Sequence, residues 1–184
     1  MPDFDFRSAA RLARPIAILS RRADADLPFL TPTDLAGPGI LLDTCVYIDQ
    51  LHGRLDAMVE RLIEARHTHH PSVAVQELMH TVGVLDPAHP GTAAVIDAIR
   101  MLIESMPGHR IRVPDIDTLG RAAVLSGVLC RLQGYRNDDR RKALQDCVLF
   151  LQAVKDGFTV VTRNIKDFDY LLQLVPEGRV LMYR

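Results

Sequence analysis

The chain has no tryptophan, and aromatic residues make up only 5% of it. A platform for stacking nucleic-acid bases is therefore not advertised. No glycine-rich phosphate loop is present, which argues against dinucleotide or P-loop nucleotide binding. Charge of one sign is missing too. The 22 Lys and Arg residues nearly cancel 23 Asp and Glu residues, leaving a net charge of −1. Any nucleic-acid binding must come from a local patch or from bound metal. Cysteine is scarce: Cys45, Cys130 and Cys147 are widely spaced, and no Cys-x-x-Cys occurs. An odd, scattered set, with Cys45 and Cys147 inside apolar runs, predicts reduced, buried thiols in a cytoplasmic protein. No apolar run approaches the roughly 20 residues needed to span a bilayer. Arg7, Arg11, Arg14, Arg21 and Arg22 interrupt any secretory signal pattern, and Asp3, Asp5, Asp24 and Asp26 count against an organellar transit peptide.

What is present is ordinary globular material: 184 residues, 48% hydrophobic and 24% charged, enough to bury a real core. Residues 1–39 differ from the rest. Arg-rich and apolar pieces alternate there, and Pro15, Pro28, Pro32 and Pro38 break any long helix. They read as an N-terminal extension with one short helix near Arg7 to Ala13, free to pack on the domain or to bind a partner. From Ile40 onward, strands and helices alternate. Ile40-Leu41-Leu42 reads as a buried parallel strand. Asp56 to His67 carries a helical stripe with Asp56 as cap. Val75 to Leu85 is helical, with Val75, Leu78, Met79 and Val82 on one face and Glu77 in the first turn. Thr92 to Met106 is helical with Val95, Ile99, Leu102 and Ile103 inward, and Pro107-Gly108 stops it.

A short strand at Ile111 to Val113 follows. Asp117 is expected to cap a helix to about Gln133. Asp138 or Asp139 is expected to start another, running through Leu144, Cys147, Val148, Leu151 and Val154 to Gly157. Phe158 to Val161 and Val180 to Tyr183 read as strands, with a short helix from Ile165 to Leu174 between them. The alternation predicts an α/β sandwich with a mainly parallel sheet.

Sites in such sheets form beyond the carboxyl ends of the strands. Asp43 falls there, directly after Ile40-Leu41-Leu42, and Thr162-Arg163-Asn164 directly after Phe158 to Val161. Glu77 and Asp146 lie on helices among apolar neighbours. Carboxylates set among core residues are costly unless paired or liganded, and a divalent ion relieves their mutual repulsion. Oxygen ligands of this kind suit hard cations such as Mg²⁺ and Mn²⁺.

Four stretches in order resemble the motifs of PIN domains. Leu41-Leu42-Asp43-Thr44-Cys45-Val46-Tyr47-Ile48 resembles their opening strand, and Ser72-Val73-Ala74-Val75-Gln76-Glu77-Leu78 their second acidic motif. Gln145-Asp146 with Leu149, Ala153 and Gly157, then Val160 to Phe168, resemble the third and fourth. The resemblance covers residues 40–184. It implies a PIN-like three-layer sandwich and a metal-dependent ribonuclease, similar to the toxin half of bacterial type II toxin–antitoxin pairs. Asp43, Glu77 and Asp146 match the metal-holding positions. Many relatives carry Asp where this chain has Asn164, so Asn164 is a site residue with an altered donor, and Asp167, one turn on, is an alternative ligand. Thr44 and Thr162 are placed to orient a carboxylate or water. The resemblance further implies an RNA substrate, a homodimer and a small antitoxin that occludes the acidic pocket.

Blander readings exist for each feature. Asp43 could cap a turn, Glu77 could answer a helix dipole, Asp146 could be a buried ion-pair or capping group, Asn164 a turn residue and Asp167 a solvated helix start. His67, His69 and His70 are read as a helix end before Pro71, better suited to the helix dipole than to metal. Glu77-x-x-His80 has di-iron spacing but occurs once, where that chemistry needs two copies. Arg136, Arg140, Arg141 and Lys142 form a basic run beside Asp146. It is a solvated face by default and a phosphate contact by alternative. Two rival functions remain: a catalytically weakened PIN-like module that binds RNA or protein, kept alive by Asn164, and a phosphorylated receiver domain. The receiver would want an acidic pair at the first strand and a Lys after a late strand; Asp43 stands alone and Thr162-Arg163 follow the late strand.

Overall fold

The computed structural model describes residues 4–184, apart from the side chains of Asn137 and Asp138. Five parallel strands form the sheet: β1 (Ile40–Leu42), β2 (Thr68–Pro71), β3 (Ile111–Arg112), β4 (Thr159–Thr162) and β5 (Val180–Met182). Their order is β3-β2-β1-β4-β5. The chain leaves β1 toward β2 on one side and returns to β4 on the other, so β1 and β4 form the switch point where open parallel sheets place their sites.

Among the described residues, eight α-helices accompany the sheet: α1 (Phe6–Arg11), α2 (Thr44–Leu51), α3 (Ala57–Ala65), α4 (Ser72–Val84), α5 (Thr92–Glu104), α6 (Ile116–Gln133), α7 (Asn137–Asp156) and α8 (Ile165–Leu174). Strand alternation divides the core. Leu41, Val160, Val180 and Met182 face α6, α7 and α8, meeting Leu125, Leu129, Phe150 and Phe168. Ile40, Leu42, Val161 and Leu181 face the layer of α2 to α5, meeting Val46, Leu62, Leu78 and Ile99. The result is the three-layer α/β, PIN-like sandwich expected from the sequence, with a wholly parallel sheet.

Several local expectations are corrected. His69 and His70 lie on β2, not at a helix end. Pairing with β1 recruits this stretch despite its poor strand propensity: Ile40 N–H donates to the His67 carbonyl and Leu41 pairs with His69. The helix α2 directly after Asp43 was not foreseen. Asp115, not Asp117, caps α6 through the Thr118 N–H (2.9 Å). The next helix begins at Asn137, with Arg136 at its cap position, rather than at Asp138 or Asp139. Because α4 begins at Ser72, Glu77 sits in its second turn rather than its first. Met79 and Val95, expected inward, are 52% and 42% exposed, and Leu144 is 40% exposed.

The extension packs on the domain. Ala9 of α1 is buried, Arg121 of α6 donates to Ser8, and Arg131 donates to the Ala13 and Pro15 carbonyls. Further on, Phe29 forms a parallel bridge to Met182: Met182 N–H donates to the Pro28 carbonyl (2.9 Å) and Leu30 N–H to the Met182 carbonyl (2.8 Å). Arg22 pairs with Asp169, which is fully buried.

The turn into β5 is tight. A Cβ at Gly178 would stand 2.2 Å from the ring of Phe150, itself 1% exposed in α7. Gly178→Ala should therefore cost about 1–3 kcal/mol through overpacking, read as a fall in melting temperature of roughly 2–4 °C per kcal/mol. An unchanged melt would show that Phe150 is free to move.

Candidate active site

Three elements deliver carboxylates to one cavity of about 440 Å³. Asp43 directly follows β1, at the cap of α2, and is 6% exposed. Glu77 comes from α4 and Asp146 from the middle of α7, both half-buried. Asn164 lines the same cavity from the turn after β4, as do Thr44, Cys45, His80, Arg141 and Lys142. Asp167 stands further along α8 and does not line it. Its carboxylate accepts from the Tyr135 hydroxyl and from Asn164 Nδ2 (3.1 Å).

Each cavity carboxylate accepts a hydrogen bond from a neighbouring side chain. Thr162, fully buried, donates to Asp43 Oδ2 (2.5 Å) while accepting from Asn164 N–H (2.8 Å). The turn after β4 is thereby tied to the end of β1. Thr44, the first residue of α2, donates to Glu77. Asn164 Nδ2 donates to Asp146 Oδ2 (3.0 Å) and to Asp167, and Asn164 Oδ1 accepts the Asp167 N–H (3.4 Å) as the cap of α8. These partners settle the amide orientation, because its nitrogen meets only acceptors and its oxygen a donor.

The electrostatics follow from crowding. Burial raises the Asp43 carboxyl above its usual range, against the hydrogen bonds of Thr162 and Cys45. Burial, then the charges of Asp43, Asp167 and Glu77, hold Asp146 well above it. Glu77 is raised by burial and by Asp43, while Thr44, Arg141 and Lys142 pull it down. Three carboxyl groups that resist ionising together are a set that a cation would favour. Among the described residues no three His, Cys, Asp or Glu side chains stand arranged to hold a metal as they are. One oxygen of each carboxylate accepts from a hydroxyl or amide: Asp43 Oδ2 from Thr162, Glu77 Oε2 from Thr44 and Asp146 Oδ2 from Asn164.

On the rim, Arg141 donates to His80 Nε2 (3.2 Å) across α7 and α4. Of the basic run, Arg141 and Lys142 line the cavity, while Arg140 bonds back to the Tyr135 carbonyl. His69 stacks on Phe158 (4.1 Å between centroids) and His70 bonds the Tyr47 hydroxyl (2.8 Å), so neither faces the acidic cavity.

Sequence reasoning missed two features. Cys45, expected buried, is partly exposed in the cavity, with its thiol 3.1 Å from Asp43 Oδ2 and accepting the Arg163 N–H (3.2 Å). Behind the site, buried Asp49 of α2 accepts from Tyr183 (2.8 Å) and pairs with Arg163 and Arg54 (both 3.2 Å). No local pattern signals this, because Arg163 and Tyr183 are more than a hundred residues from Asp49.

No protein-family model matches the chain, and no curated protein matches it in sequence. Solved structures do. A chain of VapBC2 from Rickettsia felis, bound to a promoter DNA fragment, superposes with TM-score 0.55 at 14% identity, over 79% of this chain and 99% of that one. DNA-bound VapBC from Salmonella typhimurium gives 0.55 at 16%, over 78% and 97%. FitAcB from Neisseria gonorrhoeae gives 0.54 at 20%, over 77% and 96%.

Proposed function

We propose, on a fold shared with chains of VapBC and FitAB complexes, that this protein is a metal-dependent endoribonuclease and the toxin of a toxin–antitoxin pair. The observation that carries the reading is the convergence of Asp43, Glu77 and Asp146 from three elements into one cavity at the β1–β4 switch point, beside Arg141 and Lys142. The donor set fits Mg²⁺ or Mn²⁺: hard oxygens in a crowded, partly desolvated group whose like charges a dication offsets. Asp43, Glu77 and Asp146 would hold the ion, with Asp167 beyond Asn164 as a reserve ligand. The chemistry a bound ion supplies is activation of water near neutral pH and stabilisation of charge on the phosphate.

The chain's own groups do the rest. Thr162 and Thr44 fix the angles of Asp43 and Glu77. Arg141, Lys142 and His80 offer cationic and polar contacts for the RNA backbone. The Asn164 amide stands between Asp146 and Asp167 and tempers their repulsion without adding a charge.

The partners follow from the same reading: RNA as substrate, a small antitoxin seated over the cavity and a second copy of the chain. A second reading, a weakened PIN-like module that binds RNA or protein, rests on Asn164, whose amide is turned to donate to Asp146 rather than to offer oxygen.

The test is incubation with a mixed RNA pool and Mn²⁺ or Mg²⁺, with and without EDTA, beside Glu77→Gln. Cleavage that needs metal and is lost in the variant is expected. Cleavage surviving both would sink the nuclease assignment for this cavity. RNA retention on a filter without cleavage under either metal would favour the binding module.

A further inference from the structure

At the opposite ends of the strands from the acidic site lies a second cavity, of about 650 Å³. The 22–38 segment, the start of β4 and the turn before β5 enclose it, and three guanidinium side chains line it: Arg22, Arg66 and Arg179. Arg66 is 8% exposed. Among the described residues no carboxylate lies within ion-pairing distance of it.

The bonds of Arg66 go to uncharged oxygens: the carbonyls of Pro38 (2.7 Å) and Asp34 (3.2 Å) and the hydroxyl of Thr159 (3.1 Å). Burial and the neighbouring charge of Arg179 hold Arg66 below the usual arginine range, while Asp34 acts in the other direction. Arg179 makes one bond, from Nη2 to the Gly157 carbonyl (2.6 Å). Arg22 engages Asp169 through Nε, but its Nη2 is buried without an acceptor. Of the two carboxylates on the cavity wall, Asp34 is taken up by the Thr31 N–H (2.8 Å) and hydroxyl (2.7 Å), and Asp26 is exposed.

Arginine forks match the oxygens of phosphate, and the cavity has the volume of a small-ligand site. We propose that this cavity binds a terminal phosphate, with Arg66 and Arg179 supplying charge. A free nucleotide and the 5′ end of an RNA share that chemistry. The site is separate from the acidic cavity and does not depend on the nuclease reading.

Calorimetry tests it, with inorganic pyrophosphate titrated into the full chain in EDTA at about 0.15 M salt, where long-range attraction is screened. One-site binding is expected. It should weaken roughly tenfold or more in Arg179→Ala, the scale of one lost charge-assisted bond, and vanish in Arg179→Glu. Both variants should melt as the parent does, since Arg179 is exposed and holds one carbonyl. Arg141→Ala, on the acidic cavity, should leave pyrophosphate binding unchanged. Competition by ATP assigns the source as free nucleotide, and competition by a 5′-phosphorylated but not a 5′-hydroxyl oligoribonucleotide assigns it as an RNA end. No binding, equal binding in Arg179→Ala, or loss in Arg141→Ala would overturn the proposal.

Discussion

Asp146→Asn is expected to reduce metal-dependent RNA cleavage by about 10³-fold, the scale of removing one group that stabilises transition-state charge, while making the metal-free protein more stable. The two effects share one cause. Asp146 is pushed well above the usual carboxyl value by burial and by the charges of Asp43, Asp167 and Glu77. Such a group keeps its proton in the folded state after the unfolded chain has lost it. The folded state then binds more protons, so stability falls as pH rises from the usual value near 3.8 toward the raised one.

In EDTA, the parent should therefore melt higher as pH is lowered from neutral through the upper part of that window, as far as this group contributes. The amide variant should lose that contribution and gain about 1–2 kcal/mol at neutral pH, within the range for replacing buried charge by neutral groups. Added Mg²⁺ should raise the parent's melting temperature and leave the variant's nearly unchanged. A variant that melts below the parent in EDTA, with the pH slope intact, would show that Asp146 is a satisfied structural acceptor of Asn164 and not a strained ligand.

Arg22→Ala is expected to cost about 2–4 kcal/mol. Asp169 is fully buried, and its bonds are the Arg22 N–H (2.8 Å), the Arg22 Nε (2.5 Å) and Gln173 Nε2 (3.0 Å). Deleting the guanidinium leaves a buried carboxylate short of its counter-charge, the costly way to break a buried pair. The estimate is held at the lower end because the Arg22 side chain is 37% exposed. Adding Asp169→Asn should recover at least half of the loss, since the amide carries no charge. Thermal melts of the single and double variants read this directly. A single variant within about 0.5 kcal/mol of the parent, the range of an ordinary surface change, would mean that the extension is not anchored through this pair.

The parts of the fold legible in the sequence were those whose signal is local. Ile40-Leu41-Leu42 and Thr159 to Thr162 are short apolar or β-branched runs bounded by turn residues, and the long helices α6 and α7 end at Gly134 and Gly157, both left-handed. The elements missed depend on contacts distant in sequence. β2 contains two histidines and a proline and is a strand because β1 and β3 pair with it. α2 follows β1 after a single residue, so the short stretch from Ile40 to Ile48 hides a change of period from two to 3.6. Met79 and Val95 fit the helical pattern of buried positions, yet the neighbouring helices leave that side of α4 and α5 open.

At the site, Asp43, Glu77 and Asp146 stood out because a carboxylate among apolar residues needs a reason. The Thr162–Asp43 and Asp49–Arg163–Tyr183 contacts span more than a hundred residues of chain and leave no pattern behind. The same holds for Arg22 and Asp169.

The bridge between Phe29 and Met182 has a consequence for assembly. A parallel sheet has two rims, and each rim is a row of amide and carbonyl groups ready to zip onto any extended chain. Here residues 28–30 already take up the outward amide and carbonyl of Met182, at the end of the β5 rim, with the protein's own backbone. An incoming peptide cannot lengthen the sheet on that side without first evicting this built-in stopper. Strand addition is left to the β3 rim, where β3 is only two residues long, and other recognition must use side chains across the helical layers. Partner choice is thereby shifted from backbone pairing, which is indifferent to sequence, to surfaces that read it.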